Sequence, residues 1–154
     1  MPFNSSVTQS ITAALTPTGN TRIFVYGTLR DGQRNHQQLS EARFIGTGET
    51  VSHFTLRVDN LLPYLDASNP LYPVRGEVYE VDSSGLRAID HLEGHPRWYR
   101  RRVISIRLDK RPGAAVKDVV EAFAYFHSDA LGQIHPTGDY TVPITTSLPK
   151  EVAV

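Results

Sequence analysis

One amphipathic helix set between two strand-like segments most narrows the folds open to this chain. Residues 74–108 read VRGEVYEVDSSGLRAIDHLEGHPRWYRRRVISIRL. The spacing predicts a strand over Val74–Val81, where Val74, Gly76, Val78 and Glu80 alternate with Arg75, Glu77, Tyr79 and Val81. It predicts a helix over Ser83–Gly94, capped by Ser83 or Ser84 and ended by Gly94 with Pro96. A second strand follows over Tyr99–Leu108, with Ile104, Ile106 and Leu108 on one face. Elsewhere strands are expected over Arg22–Tyr26 and Val119–Phe126, with two weaker pieces inside Phe44–Val58, the first interrupted by Gly46 and Gly48. Asn35–Ala42 is a short helix candidate, Leu61–Tyr72 reads as a proline-containing loop, and the chain from His127 onward reads as irregular. Strands outnumber helices and do not alternate with them, which argues against a doubly wound sheet. An α+β domain with a mixed, curved sheet or small barrel fits better.

The 154 residues are about one domain's worth, enough to bury a core without staples. Residues 1–20 are polar and rich in Ser and Thr, and read as an N-terminal extension to a single domain over 21–154. They lack a basic start and an apolar run, so they do not read as a secretory signal, and a cytoplasmic protein is expected. Formal net charge is zero, so no global field draws the chain to nucleic acid or an anionic membrane. No apolar stretch approaches membrane-spanning length. With no cysteine, disulfides, thiolate zinc sites and cysteine nucleophiles are excluded.

The helix carries the most informative local signal. At about 100° per residue, Leu86, Ile89, Leu92 and Glu93 share one arc, and His91 lies opposite. If that arc faces the core, Glu93 points inward at the last turn, where desolvation would raise its pKa toward that of a useful base. The alternative is that Glu93 reaches solvent at a frayed end or pairs with an arginine of RWYRRR (97–102). That basic cluster itself reads as a solvated strand with arginines on alternating faces; one arginine could help hold an acidic substrate.

Rival chemistries are weaker. His91 and His95 have the four-residue spacing of a helical metal site, but Gly94 and Pro96 break the helix there and no third ligand is near in sequence. His-Leu-Glu opens a deaminase-like pattern that requires cysteines. FVYGTLRDGQRNH (24–36) lacks the Gly-Lys-Ser/Thr of a phosphate loop, and no Gly-x-Ser-x-Gly elbow supports a serine hydrolase. In FVYGTLRDGQRNH an apolar strand ends abruptly on Gly27, either in a plain turn or in a loop whose N–H groups hold an anion.

Two blocks together resemble the gamma-glutamyl cyclotransferase-like superfamily. YGTLRDGQRNHQQL (26–39) is similar to its Tyr-Gly-Thr/Ser-Leu signature. VRGEVYEVDSSGLRAIDHLEGHPRWYRRRVISI (74–106) is similar to its Gly-Glu-Val-Tyr, helix, Glu-Gly and Tyr-x-Arg block. Asn35-His36 and the short second block are most similar to the gamma-glutamylamine cyclotransferase branch, including AIG2-like proteins. The resemblance implies a small mixed β-barrel with flanking short helices, and no metal or organic cofactor. It implies that Tyr26, Gly27, Thr28 and Leu29 bind the substrate's glutamyl end, that Glu93 is the catalytic acid/base, and that Tyr99 and Tyr125 line the pocket. The implied reaction closes a γ-glutamyl group onto its own γ-carbonyl, giving 5-oxoproline and a free amine. Alternatives on the same fold are a non-catalytic binding module for a small acidic metabolite, or removal of a γ-glutamyl protecting group in a biosynthetic pathway. Neither the leaving amine nor the oligomeric state is legible.

Overall fold

The computed structural model describes residues 13–110, 112–127 and 132–141. Among the described residues the named elements follow in order: β1 (Thr21–Val25), the 3₁₀ turn His36–Leu39, β2 (Arg43–Thr50), β3 (Thr55–Asp59), β4 (Leu62–Asp66), β5 (Arg75–Val81), α1 (Ser83–Glu93), β6 (Tyr99–Leu108), β7 (Val119–His127) and β8 (Gln133–Ile134). Five strands close a mixed barrel in the order β1-β5-β2-β6-β7, and β4-β3-β8 form a small separate sheet. Closure comes from a parallel contact between β1 and β7 at Ile23 and Phe123; the other barrel pairs are antiparallel. The fold is therefore α+β, as the strand-rich pattern without regular strand–helix alternation predicts. No helix among the described residues is long and apolar enough to cross a membrane.

Alternation along the strands divides the core between the two faces of the barrel wall. Phe24, Val78, Ile104, Ile106, Ala122, Ala124 and Phe126 join Leu56 and Leu65 of the small sheet in one cluster. Ile23, Val25, Tyr79, Val81, Phe123 and Tyr125 form the second, into which α1 places Ile89. Burying Ile89 completely removes the helix's central apolar side chain from water; truncating such a residue to Ala costs about 2–5 kcal/mol.

Several expectations are corrected in detail. The helix cap is Asp82, whose Oδ1 accepts from Gly85 N at 2.7 Å, rather than Ser83 or Ser84. Asn35–Ala42 contributes only the four-residue 3₁₀ turn. Strand β2 runs through Gly46 and Gly48, absorbing an irregularity between Phe44 and Gly46 as a shift in its register with β5. Leu61–Tyr72 is not all loop: β4 pairs antiparallel with β3 through a tight turn in which Asn60 and Leu61 both have positive φ (55° and 67°). Pro63 is tolerated there because β4 is an edge strand of its sheet. The last part of the N-terminal segment packs on the barrel. Ala14 is fully buried, Arg22 N donates to Ala14 O at 2.8 Å, and Asn20 donates to the Glu80 carboxylate at 3.1 Å. Residues 1–12 and 142–154 lie outside the described residues.

Candidate active site

The seven residues singled out in the sequence line one cleft. Tyr26, Gly27, Thr28 and Leu29 continue β1 beyond its end, Glu93 closes α1, Tyr99 opens β6 and Tyr125 lies near the end of β7. Phe24, Val25 and Pro63 complete the walls around about 340 Å³ of space that includes the open mouth.

Glu93 is held there by the helix that carries it. Asp82 starts α1, and Gly94 stops it in the left-handed conformation (φ 65°), with its N–H returned to the carbonyls of Asp90 and His91. A left-handed residue at this point favours glycine, and an added Cβ would also lie 2.6 Å from the Trp98 ring. The last turn thus fixes Glu93 on the inner face, where it is 8% exposed. Among the described residues, no hydrogen bond or ion pair uses its carboxylate. Burial pushes its pKa from the usual 4.5 up to about 8. The arginine cluster does not reach it. Arg101 instead donates to Asp90 at 2.9 Å, and Asp90 also accepts from the Tyr125 hydroxyl at 2.6 Å.

The three tyrosines are walls, not proton carriers. Tyr26 Oη donates to Tyr125 O at 2.6 Å, and Tyr99 Oη donates to Pro63 O at 2.9 Å. With Tyr125 Oη on Asp90, all three hydroxyl protons are committed. Burial, reinforced by the nearby Glu93 charge, raises the pKa of each phenol, so all stay neutral. Glu93 is left as the cleft group that titrates near neutrality.

The loop after β1 is braced from outside the cleft. Asn35 donates its backbone N–H to Thr28 O at 2.9 Å and its side chain to Thr28 Oγ1 at 3.0 Å. The His36 ring contacts Leu29 O at 3.0 Å, and Arg30 N closes onto Gly27 O at 3.1 Å. Below, buried Glu77 accepts from Arg30 Nε at 2.6 Å and from Asp31 N at 2.7 Å. The carbonyls of 27–29 are therefore engaged, while among the described residues no hydrogen bond uses the N–H of Gly27, Thr28 or Leu29. Unused donors beside a cleft suit a carboxylate. Gly27 is required by proximity rather than by an unusual φ: a Cβ there would lie 2.3 Å from Pro63 Cγ.

Sequence reasoning missed Pro63, because the loop reading hid β4, and it missed the Arg30–Glu77 pair. Glu77 did carry a signal, as an acid inside an otherwise apolar strand. The two histidines take different environments. His91 is exposed, His95 Nδ1 accepts from Arg101 N at 3.3 Å, and among the described residues no three His, Cys, Asp or Glu side chains could hold a metal.

The chain is similar to known proteins in sequence and in fold. The sequence profile described as gamma-glutamyl cyclotransferase, AIG2-like, matches residues 23–142. The gamma-glutamylaminecyclotransferase of Rattus norvegicus is 38% identical over 112 residues, covering 67% of this chain and 75% of the relative. The human gamma-glutamylaminecyclotransferase is 36% identical over 118 residues, covering 67% and 76%. The crystal structure of an AIG2-like protein from Mus musculus superposes with a TM-score of 0.66 at 31% identity, covering 79% of this chain and 88% of that one. On this profile match and these relatives, the chain belongs to the gamma-glutamyl cyclotransferase, AIG2-like family.

Proposed function

We propose that the protein converts a γ-glutamyl amine or amide into 5-oxoproline and the free amine, with Glu93 as general acid and base. The observation that carries this reading is a buried, unpartnered carboxyl with a pKa of about 8, in the same cleft as three unused backbone donors. The substrate's α-carboxylate binds the N–H groups of Gly27, Thr28 and Leu29. The α-amine nitrogen then forms a bond to the γ-carbonyl carbon, and the γ-amide C–N bond breaks. The proton lost by the α-amine passes to Glu93 and from it to the departing nitrogen, so atoms and charge balance without water, oxidant or cofactor. A single carboxyl suffices because the two proton transfers are sequential. The nucleophile is tethered to its target, so most of the acceleration comes from folding the substrate; such positioning supplies up to about 7–11 kcal/mol. The tyrosine walls provide that mould.

The experiment is incubation of the purified chain with γ-glutamyl-ε-lysine, γ-glutamyl amino acids and glutathione, with 5-oxoproline quantified and Glu93→Gln in parallel. Release by wild type and not by the variant is expected. Equal release by both would refute the role of Glu93, and no release from any compound would refute the reaction.

A further inference from the structure

We infer that Pro63 sets the length of the acyl chain this cleft accepts, favouring a γ-glutamyl group over the α-aminoadipyl group that is one methylene longer. The inference rests on the γ-glutamyl cyclisation proposed above. In that reading the α-carboxylate sits on the amides of 27–29, and the carbonyl under attack lies beside Glu93. Two fixed anchors define one span. An extra methylene between them has to bulge sideways into a wall.

Pro63 stands where that bulge would go. It is buried, and it lines the cleft together with the amide loop and Glu93. Its ring packs on the loop itself: a Cβ added to Gly27 would lie 2.3 Å from Pro63 Cγ and 3.2 Å from Pro63 Cβ. The acyl chain therefore meets this ring as it leaves the amides. Pro63 O also accepts from Tyr99 Oη at 2.9 Å, so one residue ties the amide loop to a second cleft wall.

This wall is rigid. The proline ring has no freely rotating side chain and fixes its own φ. Its strand is held on both sides. Pro63 pairs with Val58 across the β3–β4 hairpin, and Arg57 Nε meets Asp66 Oδ2 at 3.0 Å further along the same two strands. The hairpin turns through Asn60 and Leu61, both left-handed at φ 55° and 67°. A leucine in that region is strained, and Tyr140 Oη holds it by donating to Leu61 O at 2.9 Å. A flexible side chain such as methionine would fold away and admit either acyl chain, whereas a fixed ring selects by shape.

The test compares γ-glutamyl-pentylamine with δ-(α-aminoadipyl)-pentylamine, which differ by one acyl methylene. Closure of the longer chain would give a six-membered lactam at its own intrinsic rate, so binding rather than turnover reads the gauge. Calorimetry measures each compound on the full chain carrying Glu93→Gln. The glutamyl compound should bind about 10–200-fold tighter. Adding Pro63→Ala, which removes the ring and keeps the carbonyl for Tyr99, should tighten the longer compound and cut the preference below about threefold. Equal affinities in the Glu93→Gln chain overturn the proposal, as does a preference that survives Pro63→Ala or a failure of both compounds to bind. A crystal structure of the Glu93→Gln chain with γ-glutamyl-pentylamine needs no change at Pro63. An acyl methylene should lie within about 4.5 Å of the Pro63 ring, and a longer separation overturns the proposal. Release of 5-oxoproline by the chain with Glu93 intact is a separate arm. A length preference that depends on Pro63, with no 5-oxoproline released, would sink the cyclisation and leave the gauge standing; release with no length preference would do the reverse.

Discussion

Replacing Glu93 with Gln removes a titrating group from a buried position and leaves its shape almost unchanged. The carboxyl is 8% exposed, and burial lifts its pKa from 4.5 to about 8. Below about pH 4.5 it is protonated in both the folded and the unfolded chain, and its contribution to stability is fully present. Between 4.5 and about 8 the unfolded chain releases the proton while the folded chain keeps it. Stability then falls by up to about 1.4 kcal/mol per pH unit. Above about pH 8 both states are ionised and the loss is complete, a total of about 3–5 kcal/mol. Glutamine has no such titration, so the stability of Glu93→Gln relative to wild type should rise by that amount between pH 5 and pH 9. Urea unfolding of both proteins at pH 5, 7 and 9 reads this directly. In the same preparations 5-oxoproline release should drop about 10²–10⁴-fold. A stability difference that stays flat with pH refutes the desolvated carboxyl, and retained turnover refutes its role as base. Misfolding cannot mimic the expected pair of results, because the inactive variant is the more stable protein at high pH.

Three further outcomes follow from the same geometry. The kcat/KM of wild type should rise with pH through about 8, as Glu93 ionises, and level off above it; a flat profile from pH 6.5 to 9 would remove Glu93 as the base. Gly27→Ala places a Cβ 2.3 Å from Pro63 Cγ, so the loop or β4 must move; it should cost about 1–3 kcal/mol of stability and raise KM, and an unchanged KM would count against amide binding by the loop. Arg30→Ala leaves the Glu77 carboxylate buried without its 2.6 Å partner and should cost about 3 kcal/mol in denaturant unfolding; a loss below about 1 kcal/mol would show that water replaces the guanidinium.

The placement of Glu93 in the candidate site was legible because local periodicity encodes which way a side chain points. The 3.6-residue repeat of α1 puts Glu93 on the arc of Ile89, and the structure has both buried. Tyr99–Leu108 reads as a strand from its alternation alone, and the bounds coincide with β6. Strand β4 was not legible, because proline and a small polar cluster resemble a loop until pairing with β3 supplies the hydrogen bonds. The same holds for the cap: Asp82, Ser83 and Ser84 are equivalent in sequence, and only the backbone geometry selects Asp82.

By itself, then, the sequence determined the strand-rich class, the helix that stops at Gly94, and the two short blocks that carry the family resemblance. Those are properties of neighbouring residues, set by backbone propensity and by the period of apolar side chains. Tertiary structure alone decided that Glu93 is left without a partner while Asp90, three residues earlier, takes both Arg101 and Tyr125. It alone placed Pro63 against Gly27 and Glu77 under Arg30. Each of these joins residues 11 to 47 positions apart, across a barrel whose closure no local pattern records. A carboxyl's pKa depends on the solvent and charges around it, so that chemistry exists only once the barrel has closed.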